Sequence, residues 1–278
     1  MLFRSVLVAA GQHLRGGHDW FFPYYRDRAL CLALGVTPLD MFLASVGSKD
    51  DPANAGRQMP SHWASVKLNI PSQSSATGTQ CLHAIGAAEA GRLYQRLTDI
   101  PDREKRFYDD EVIYVSVGDG ATSEGEFWEA LNSACNLKLP VLFLVEDNGY
   151  AISVPVEVQM PGGDFSKLVA GYPGLTTFAC DGTDLLQSLA TMQRAVAHCR
   201  ARKGPVAVHA KVIRPYSHSL SDDERLYKTK AEREEEAKRD PITRLAALLK
   251  AEKIATAAEL EEIAKDVDRE VNEAADAA

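Results

Sequence analysis

Two short segments carry residue types that could do chemistry together. Gly118-Asp119-Gly120 ends the apolar run Val112-Ile113-Tyr114-Val115-Ser116-Val117, and Asp147-Asn148-Gly149 follows the run from Val141 to Glu146. Each run reads as a strand, and a helix read near residues 123–137 separates them. In an open parallel sheet, ligands bind beyond the carboxyl ends of the strands. Two strands joined through one helix form a right-handed crossover unit. If they are neighbours, the Asp119 carboxylate and the Asn148 amide oxygen reach one crevice, and such hard oxygen ligands suit Mg²⁺ or Ca²⁺. Mg²⁺ takes few protein ligands and completes its shell with phosphate oxygens and water. The glycines let backbone approach a phosphate, and the following helix offers its first N–H groups. The combination reads as a Mg²⁺–diphosphate site. Taken alone, Gly118-Asp119-Gly120 reads equally well as a tight turn. The dinucleotide fingerprint fails because Ser123 stands where its third glycine belongs, and no Gly-Lys-Ser/Thr follows to make a phosphate loop.

The elements that must hold these segments alternate. Residues 1–24 read as part of a helix and a loop ending at Phe21-Phe22-Pro23. Residues 25–46 read as helical with a break at Gly35, and Thr37-Pro38 gives a cap and a first-turn proline for the restart. Residues 47–76 form a long loop rich in Gly, Pro, Ser, Asn and Asp. Residues 78–97 predict a helix whose small residues permit close approach of another helix, and residues 98–111 a charged surface connection. After strands 112–117 and 141–146 come a strand near 175–179, a helix from about 184 to 202 and a strand at 205–213. Short apolar strands alternating with helices predict an α/β fold, a mostly parallel sheet with helices on both faces. A charge-dense run at 222–240 reads as a solvated face, Asp222 and Asp223 included. Helices follow from Pro241 and from Thr256. The expected division is a main domain at 1–221 and a segment at 222–278 packing on it.

Composition sets outer limits. The chain has 278 residues and a net charge of -8, which disfavours nucleic acid or an anionic membrane as the main partner. Its 5 cysteines are scattered and never spaced as CxxC, which favours a reducing compartment over a disulfide framework or a zinc site. No apolar run approaches the roughly 20 residues of a membrane span. The start, MLFRSVLVAAG, is a poor secretion signal. His62, His83, His198 and His209 lack metal-ligand spacing and take no role.

Further motifs occur in a fixed order: FPYYRD (22–27), GRQMPSHW (56–63), SQSSATGTQ (72–80), GDGATSEGEFWEALN (118–132), DNGYAISVP (147–155), CDGTD (180–184) and HSLSDDERLY (218–227). Together they resemble the alpha subunit of the thiamine diphosphate-dependent decarboxylating component of 2-oxo acid dehydrogenase complexes, over residues 6–250. GRQMP and SSATGTQ are closer to the branched-chain enzymes than to the pyruvate enzymes. The resemblance implies a thiamine diphosphate-binding fold in which Asp119 and Asn148 bind Mg²⁺ by side chains and Tyr150 by its carbonyl. It implies that Gly118, Gly120 and Ala121 line the diphosphate, that Tyr25 and Arg26 contact its oxygens, and that Ser75 and Thr77 approach from the long loop. Ser74, Ala76, Thr79 and Gln80 match positions that hold K⁺ in some members, although Pro and Leu often stand where Ala76 and Thr77 do. His218 becomes the candidate catalytic residue over the thiazolium, with Arg214 placing its loop. Ser219 and Ser221 match serines phosphorylated in animal relatives. The family often has Asn at the position of Asp147.

The implied activity is oxidative decarboxylation of a branched-chain 2-oxo acid of the 3-methyl-2-oxobutanoate type, with reductive acylation of a lipoyl group. The alternatives are the same chemistry on pyruvate or acetoin, and a cofactor-free scaffold. The implied partners are a beta subunit or fused beta region, which supplies the glutamate that activates the cofactor, and a lipoyl-bearing acyltransferase. A heterotetramer of two alpha and two beta chains in a bacterial cytoplasm is expected. The abrupt ends, and Leu2-Phe3-Arg4-Ser5 outside the family pattern, read as cuts in a longer chain.

Overall fold

The computed structural model describes residues 5–99 and 106–278. In chain order its helices are α1 (Ser5–His13), α2 (Arg28–Leu34), α3 (Pro38–Ser45), α4 (Thr79–Arg96), α5 (Gly125–Leu137), α6 (Val156–Gln159), α7 (Phe165–Leu168), α8 (Leu185–Arg200), α9 (Lys230–Lys238), α10 (Pro241–Ala251) and α11 (Ala257–Ala277). The strands are β1 (Trp20–Phe22), β2 (Ile113–Gly118), β3 (Val141–Asp147), β4 (Tyr150–Ala151), β5 (Val154–Pro155), β6 (Thr176–Asp181) and β7 (Val206–Lys211). Five of them form one sheet in the order β1-β2-β3-β7-β6, every pair parallel. This is the expected α/β architecture.

The sheet centre is dry on both faces. Every residue of β2 and β3 is buried, which is why these strands read as continuous apolar runs. Tyr114, Leu142 and Leu144 belong to the core under α1, α2 and α8, while Ile113, Val115, Val117, Phe143 and Val145 face the core under α4 and α5. Each such side chain contributes roughly 1.5–3 kcal/mol on leaving water, so the middle of the sheet is a firm base for whatever stands at its rim.

Parallel pairing puts the carboxyl ends of all five strands on one rim. β1 leads into Tyr24-Tyr25-Arg26, β2 into Asp119, β3 into Asn148, and β7 through buried Val212 and Ile213 to Arg214. β2 and β3 are direct neighbours, with Gly118 opposite Glu146, as the crossover argument requires.

Local signals behave as their chemistry dictates. Gly35 closes α2 in the left-handed region. Thr37 and Asp40 form a reciprocal capping box around Pro38, and Thr256 with Glu259 does the same for α11. The long loop at 47–76 is confirmed, with one antiparallel bridge between Ser65 and Ile70.

Some expectations change. Trp20–Phe22 is an edge strand rather than loop: three successive aromatics followed by Pro23 give no alternation to read. Between Gly118-Asp119 and α5 lies one turn of 3₁₀ helix, Gly120–Ser123, so α5 does not follow the glycines directly. The surface connection at 98–111 is not uniformly solvated. Glu111 is buried and paired with Arg202 at 3.1 Å, and Asp110 bonds Arg15 and His18. Residues 100–105 of that connection, and Leu2-Phe3-Arg4, lie outside the described residues. The small face of α4 packs on α5, β1 and β2 through Cys81, Ala84, Ala88 and Gly91, while Gly86 faces open space.

The 222–278 segment is tied down by charge as much as by apolar contact. Arg244 reaches Asp181 at 2.8 Å and Asp184 at 3.3 Å, Glu236 holds buried Lys228, and α11 lies against α3. Among the described residues no helix is long and apolar enough to cross a membrane.

Candidate active site

Asp119 and Asn148 meet at the β2–β3 rim. Asp119 Oδ1 accepts the backbone N–H and the side-chain amide of Asn148, both at 3.3 Å, and Gln159 donates to Oδ2 at 3.3 Å. These are long contacts for a buried carboxylate. Asn148 Oδ1 is buried without a hydrogen-bond partner among the described residues. An amide oxygen left so beside a carboxylate that is 1% exposed is costly unless a cation or another donor takes it. The donor set therefore fits a hard cation. No cluster of three His, Cys, Asp or Glu residues suited to a metal occurs among the described residues, so a cation here would have to draw on one carboxylate, an amide and backbone carbonyls.

Two glycines shape this corner. A Cβ on Gly120 would stand 2.7 Å from Ala151 Cβ, so only glycine lets the β4–β5 hairpin lie against the turn. Gly149 sits at φ +81°, the left-handed conformation that turns the chain after Asn148. The buried face of Gly118 is closed by the Tyr24 hydroxyl. Ala121 is buried in the 3₁₀ turn, and Thr122 bonds the Asp119 carbonyl at 2.7 Å.

The second half of the site comes from β1 and β7. Tyr24 Oη donates to Tyr25 Oη at 3.0 Å and accepts from Arg26 Nη1 at 3.3 Å. Arg26 also lies over the Tyr25 ring. Its Nη2 lies 3.1 Å from His218 Nδ1 and donates to the His218 carbonyl at 3.0 Å. With Nδ1 accepting, the neutral imidazole carries its hydrogen on Nε2. Burial, then the charges of Arg26 and Arg214, hold the His218 pKa below its ordinary value, while Asp222 works the other way.

The His218 loop is braced by a buried arginine. Arg214 is 1% exposed and donates to the Ile152 carbonyl at 2.7 Å and to Tyr227 Oη at 2.5 Å. Tyr227 Oη donates to Asp222 Oδ2 at 2.5 Å, and the His218 N–H donates to the same oxygen at 2.7 Å. Burial and the Asp222 hydrogen bond push the Tyr227 hydroxyl up to about 12. The Tyr150 side chain is committed elsewhere, bonding Glu232 at 3.0 Å with its ring facing Arg214 and Lys228. That leaves only its backbone for the site.

The structure thus brings together Tyr25, Arg26, Gly118, Asp119, Gly120, Ala121, Asn148, Tyr150, Arg214 and His218. Ser74, Ser75, Ala76 and Thr77 lie exposed on the loop before α4. The Ala76 carbonyl accepts the Thr79 N–H at 3.3 Å, and Gln80 reaches the Ser116 carbonyl at 3.2 Å. The hydrogen bonds these residues make run within the loop and to the Ser116 carbonyl. An open cleft of about 700 Å³ at the β6 edge, lined by Ser166, His209, Lys211 and Arg239, includes neither Asp119 nor His218.

Several working residues escaped the sequence reading. Tyr24 links Gly118 to Arg26. Asp27 is fully buried, accepting from Tyr114 Oη at 3.0 Å and Ser116 Oγ at 2.5 Å, which fixes the Tyr25-Arg26 turn to β2. Both stand inside FPYYRD, the one signal available. Gln159 had none. Asp222 belongs to the His218 loop rather than to a solvated face, because its carboxylate satisfies two donors there. Asp223 does stay at the surface, paired with exposed Arg225. His209, assigned no role, is buried against Asp147.

A parallel sheet whose four adjacent strand ends gather a buried carboxylate–amide pair, a basic clamp and a half-buried histidine has the arrangement of a cofactor-assisted enzyme of the α/β class. The Dehydrogenase E1 component family matches residues 5–278, and the chain belongs to that family. It is 36% identical over 248 residues to 2-oxoisovalerate dehydrogenase subunit alpha of Bacillus subtilis, covering 88% of this chain and 70% of that protein. It is 35% identical over 226 residues to 3-methyl-2-oxobutanoate dehydrogenase subunit alpha of Mycobacterium tuberculosis, covering 81% and 55%. With pyruvate dehydrogenase E1 component subunit alpha of Mycoplasma genitalium it shares 31% identity over 258 residues, covering 92% and 65%. The chain thus spans between 55% and 70% of the length of these relatives. Family membership implies dependence on thiamine diphosphate.

Proposed function

We propose that this chain is the alpha half of an active site that decarboxylates a branched-chain 2-oxo acid of the 3-methyl-2-oxobutanoate type and delivers the acyl group to a lipoyl carrier. The observation that carries the reading is the unpartnered, buried Asn148 Oδ1 beside Asp119. Asp119, Asn148 and the Tyr150 carbonyl would hold Mg²⁺. Gly118, Gly120, Ala121, Tyr25 and Arg26 would hold a diphosphate, Arg26 through charge-assisted hydrogen bonds. Ser75 and Thr77 would close on the cofactor from the long loop, and Ser74, Ala76, Thr79 and Gln80 would offer oxygens to K⁺. Thiamine diphosphate supplies the electron sink for the carbanion left when CO₂ departs.

The protein's own contribution is orientation and proton placement. His218, kept neutral by burial and by Arg26 and Arg214, would present Nε2–H to the substrate carboxylate or to the oxygen of the reacting carbon. Arg214 is a positioning residue: it holds the loop and makes no contact with His218 in the hydrogen-bond network except through Tyr227 and Asp222.

A beta partner would cover the open side. Ile152, Val154 and Val158 on the hairpin side, and Tyr216, Leu220 and Leu226 on the His218 side, are all exposed, and apolar side chains in such number beside a site suit a protein interface. We place this assembly, two alpha and two beta chains with a lipoyl-bearing acyltransferase as its acceptor, in a bacterial cytoplasm. All five cysteines are unpaired, as a reducing compartment favours.

The test is a panel of 2-oxo acids on the complete alpha–beta assembly with thiamine diphosphate and Mg²⁺, read by reduction of an artificial acceptor. Fastest turnover of 3-methyl-2-oxobutanoate supports the reading. Fastest turnover of pyruvate replaces it with the pyruvate alternative, which the Mycoplasma genitalium relative favours. Failure of the assembly to bind the cofactor with Mg²⁺ leaves the scaffold.

A further inference from the structure

The turn that carries Asn148 is gripped from behind by side chains that the reading above does not use. Asp147, 1% exposed, accepts the Gly149 N–H through Oδ1 at 2.9 Å, bending its carboxylate around Asn148. Its Oδ2 accepts from His209 Nε2 at 2.7 Å and from Lys211 Nζ at 2.5 Å. With Nε2 donating, His209 Nδ1 accepts, and Ser166 Oγ lies 2.6 Å from it. The Asp147 carbonyl takes the Val212 N–H at 2.8 Å. Asn148 is thus held on one side by Asp119 and on the other by a chain running Gly149, Asp147, His209, Ser166.

The three side chains Ser166, His209 and Asp147 are those of a nucleophilic triad, but the ring is the wrong way round. In a triad the serine contacts Nε2 and the carboxylate contacts Nδ1; here each nitrogen faces the other partner. Asp147 also spends one oxygen on the turn and shares the other with Lys211. These are the contacts of a lock. Three N–H donors converge on Asp147, which only an acceptor on both oxygens can satisfy. Asparagine would set its own NH₂ against one of them.

We propose that His209 is a positioning residue for the cation-binding turn, fixing through Asp147 the direction in which Asn148 presents its amide oxygen. The inference rests on the Mg²⁺ assignment to Asp119 and Asn148. Partners just outside a metal's ligands commonly set its affinity, and their loss costs about 10–100-fold. Lys211, with a side chain 44% exposed, can supply charge to Asp147 but not the ring's fixed direction. His209 is 3% exposed and clamped by Ser166, so it supplies that direction.

The experiment is a calorimetric titration of Mg²⁺ into the alpha–beta assembly at saturating thiamine diphosphate, with thermal melting of the metal-free assembly alongside. His209→Leu should weaken Mg²⁺ affinity by about tenfold. His209→Gln, whose amide can still donate to Asp147, should recover most of that loss. The proposal is overturned if the folded leucine variant binds Mg²⁺ as the unaltered assembly does, or if glutamine is no better than leucine. If the leucine variant does not fold, Asp147→Asn decides: about tenfold weaker Mg²⁺ is expected, and unchanged affinity overturns the idea. An unaltered assembly that binds no Mg²⁺ removes the metal assignment itself, whereas variants that bind normally remove only the role of His209.

Discussion

Arg26 Nη2 lies within hydrogen-bond reach of both the ring nitrogen and the carbonyl of His218, at 3.1 and 3.0 Å. One cation from the end of β1 therefore anchors a loop that follows β7 and discourages its histidine from charging. Arg26→Gln keeps a donor and removes the charge. The His218 pKa should rise toward its ordinary value, since only burial and the Arg214 charge then oppose protonation. Proton NMR titration of the cofactor-free assembly measures this. The sign for stability follows: the folded pKa lies below the unfolded one, so the unfolded chain binds the proton more readily. His218 contributes stability that is present above about pH 6.5 and is lost as pH falls through the folded value. Arg26→Gln should flatten that acid-side loss, and an unshifted titration would show that Arg26 acts on His218 only as an anchor.

Asn148 offers a test in which stability and binding move apart. Its Oδ1 is a buried acceptor with no donor, and relieving such a group is neutral or stabilising, while leaving one costs about 1–3 kcal/mol. Asn148→Ala relieves that acceptor but also removes the amide's long donation to Asp119 at 3.3 Å, so the two effects oppose each other and the metal-free assembly should melt close to its original temperature. The rise in melting temperature on adding Mg²⁺ with thiamine diphosphate should disappear. If the variant is instead destabilised without ligand and still gains from Mg²⁺, the amide is a packing element and the cation sits elsewhere.

How much of this could be read from residues alone depends on whether the signal is local. Asp119 and Asn148 were legible because each ends an apolar run and one crossover helix separates them, so handedness and pairing put both on one rim. Thr37-Pro38 and Thr256 announced their helices because a cap is a matter of adjacent residues. Trp20–Phe22 was illegible as a strand, since three residues at a sheet edge show no period. Asp222 looked like the start of a charged surface run, and only tertiary contact shows its carboxylate taking the His218 N–H and the Tyr227 hydroxyl. His209 and Asp147 stand on neighbouring strands, 62 residues apart, and their registration is a property of the sheet rather than of either segment.

Arg214 should be more sensitive to a conservative change than its place outside the Asp119–Asn148 pair suggests. Its two terminal nitrogens serve different segments, the Ile152 carbonyl and the Tyr227 hydroxyl, and its fork geometry makes both bonds possible. Lysine can replace only one. Hydrogen bonds to charged groups contribute about 1.5–3 kcal/mol, so Arg214→Lys should cost about 2 kcal/mol in chemical denaturation. The loop at 215–227 should also become easier to nick by protease, because Tyr227 and Asp222 lose the anchor that holds His218. Equal denaturation midpoints for the two proteins would mean that Tyr227 and Ile152 are held by other contacts.

Asp181 makes the docking of α10 depend on acid. Burial opposes its charge, but hydrogen bonds from Thr183 and Arg244, with the nearby charge of Arg239, bring its pKa to about 2. The folded value lies below the unfolded one, so this carboxylate contributes stability above about pH 4 that is lost as pH falls toward 2. The pair with Arg244 is partly open to water, with side chains 35% and 28% exposed, so salt and solvent screen it and its contribution is on the order of 1 kcal/mol. Asp181→Asn should lower the melting temperature slightly at pH 7 and remove part of the acid-side loss between pH 4 and 2. High salt should shrink the difference between the two proteins. A variant that melts with the same pH profile as the original would place the hold on α10 in its apolar face instead of in this ion pair.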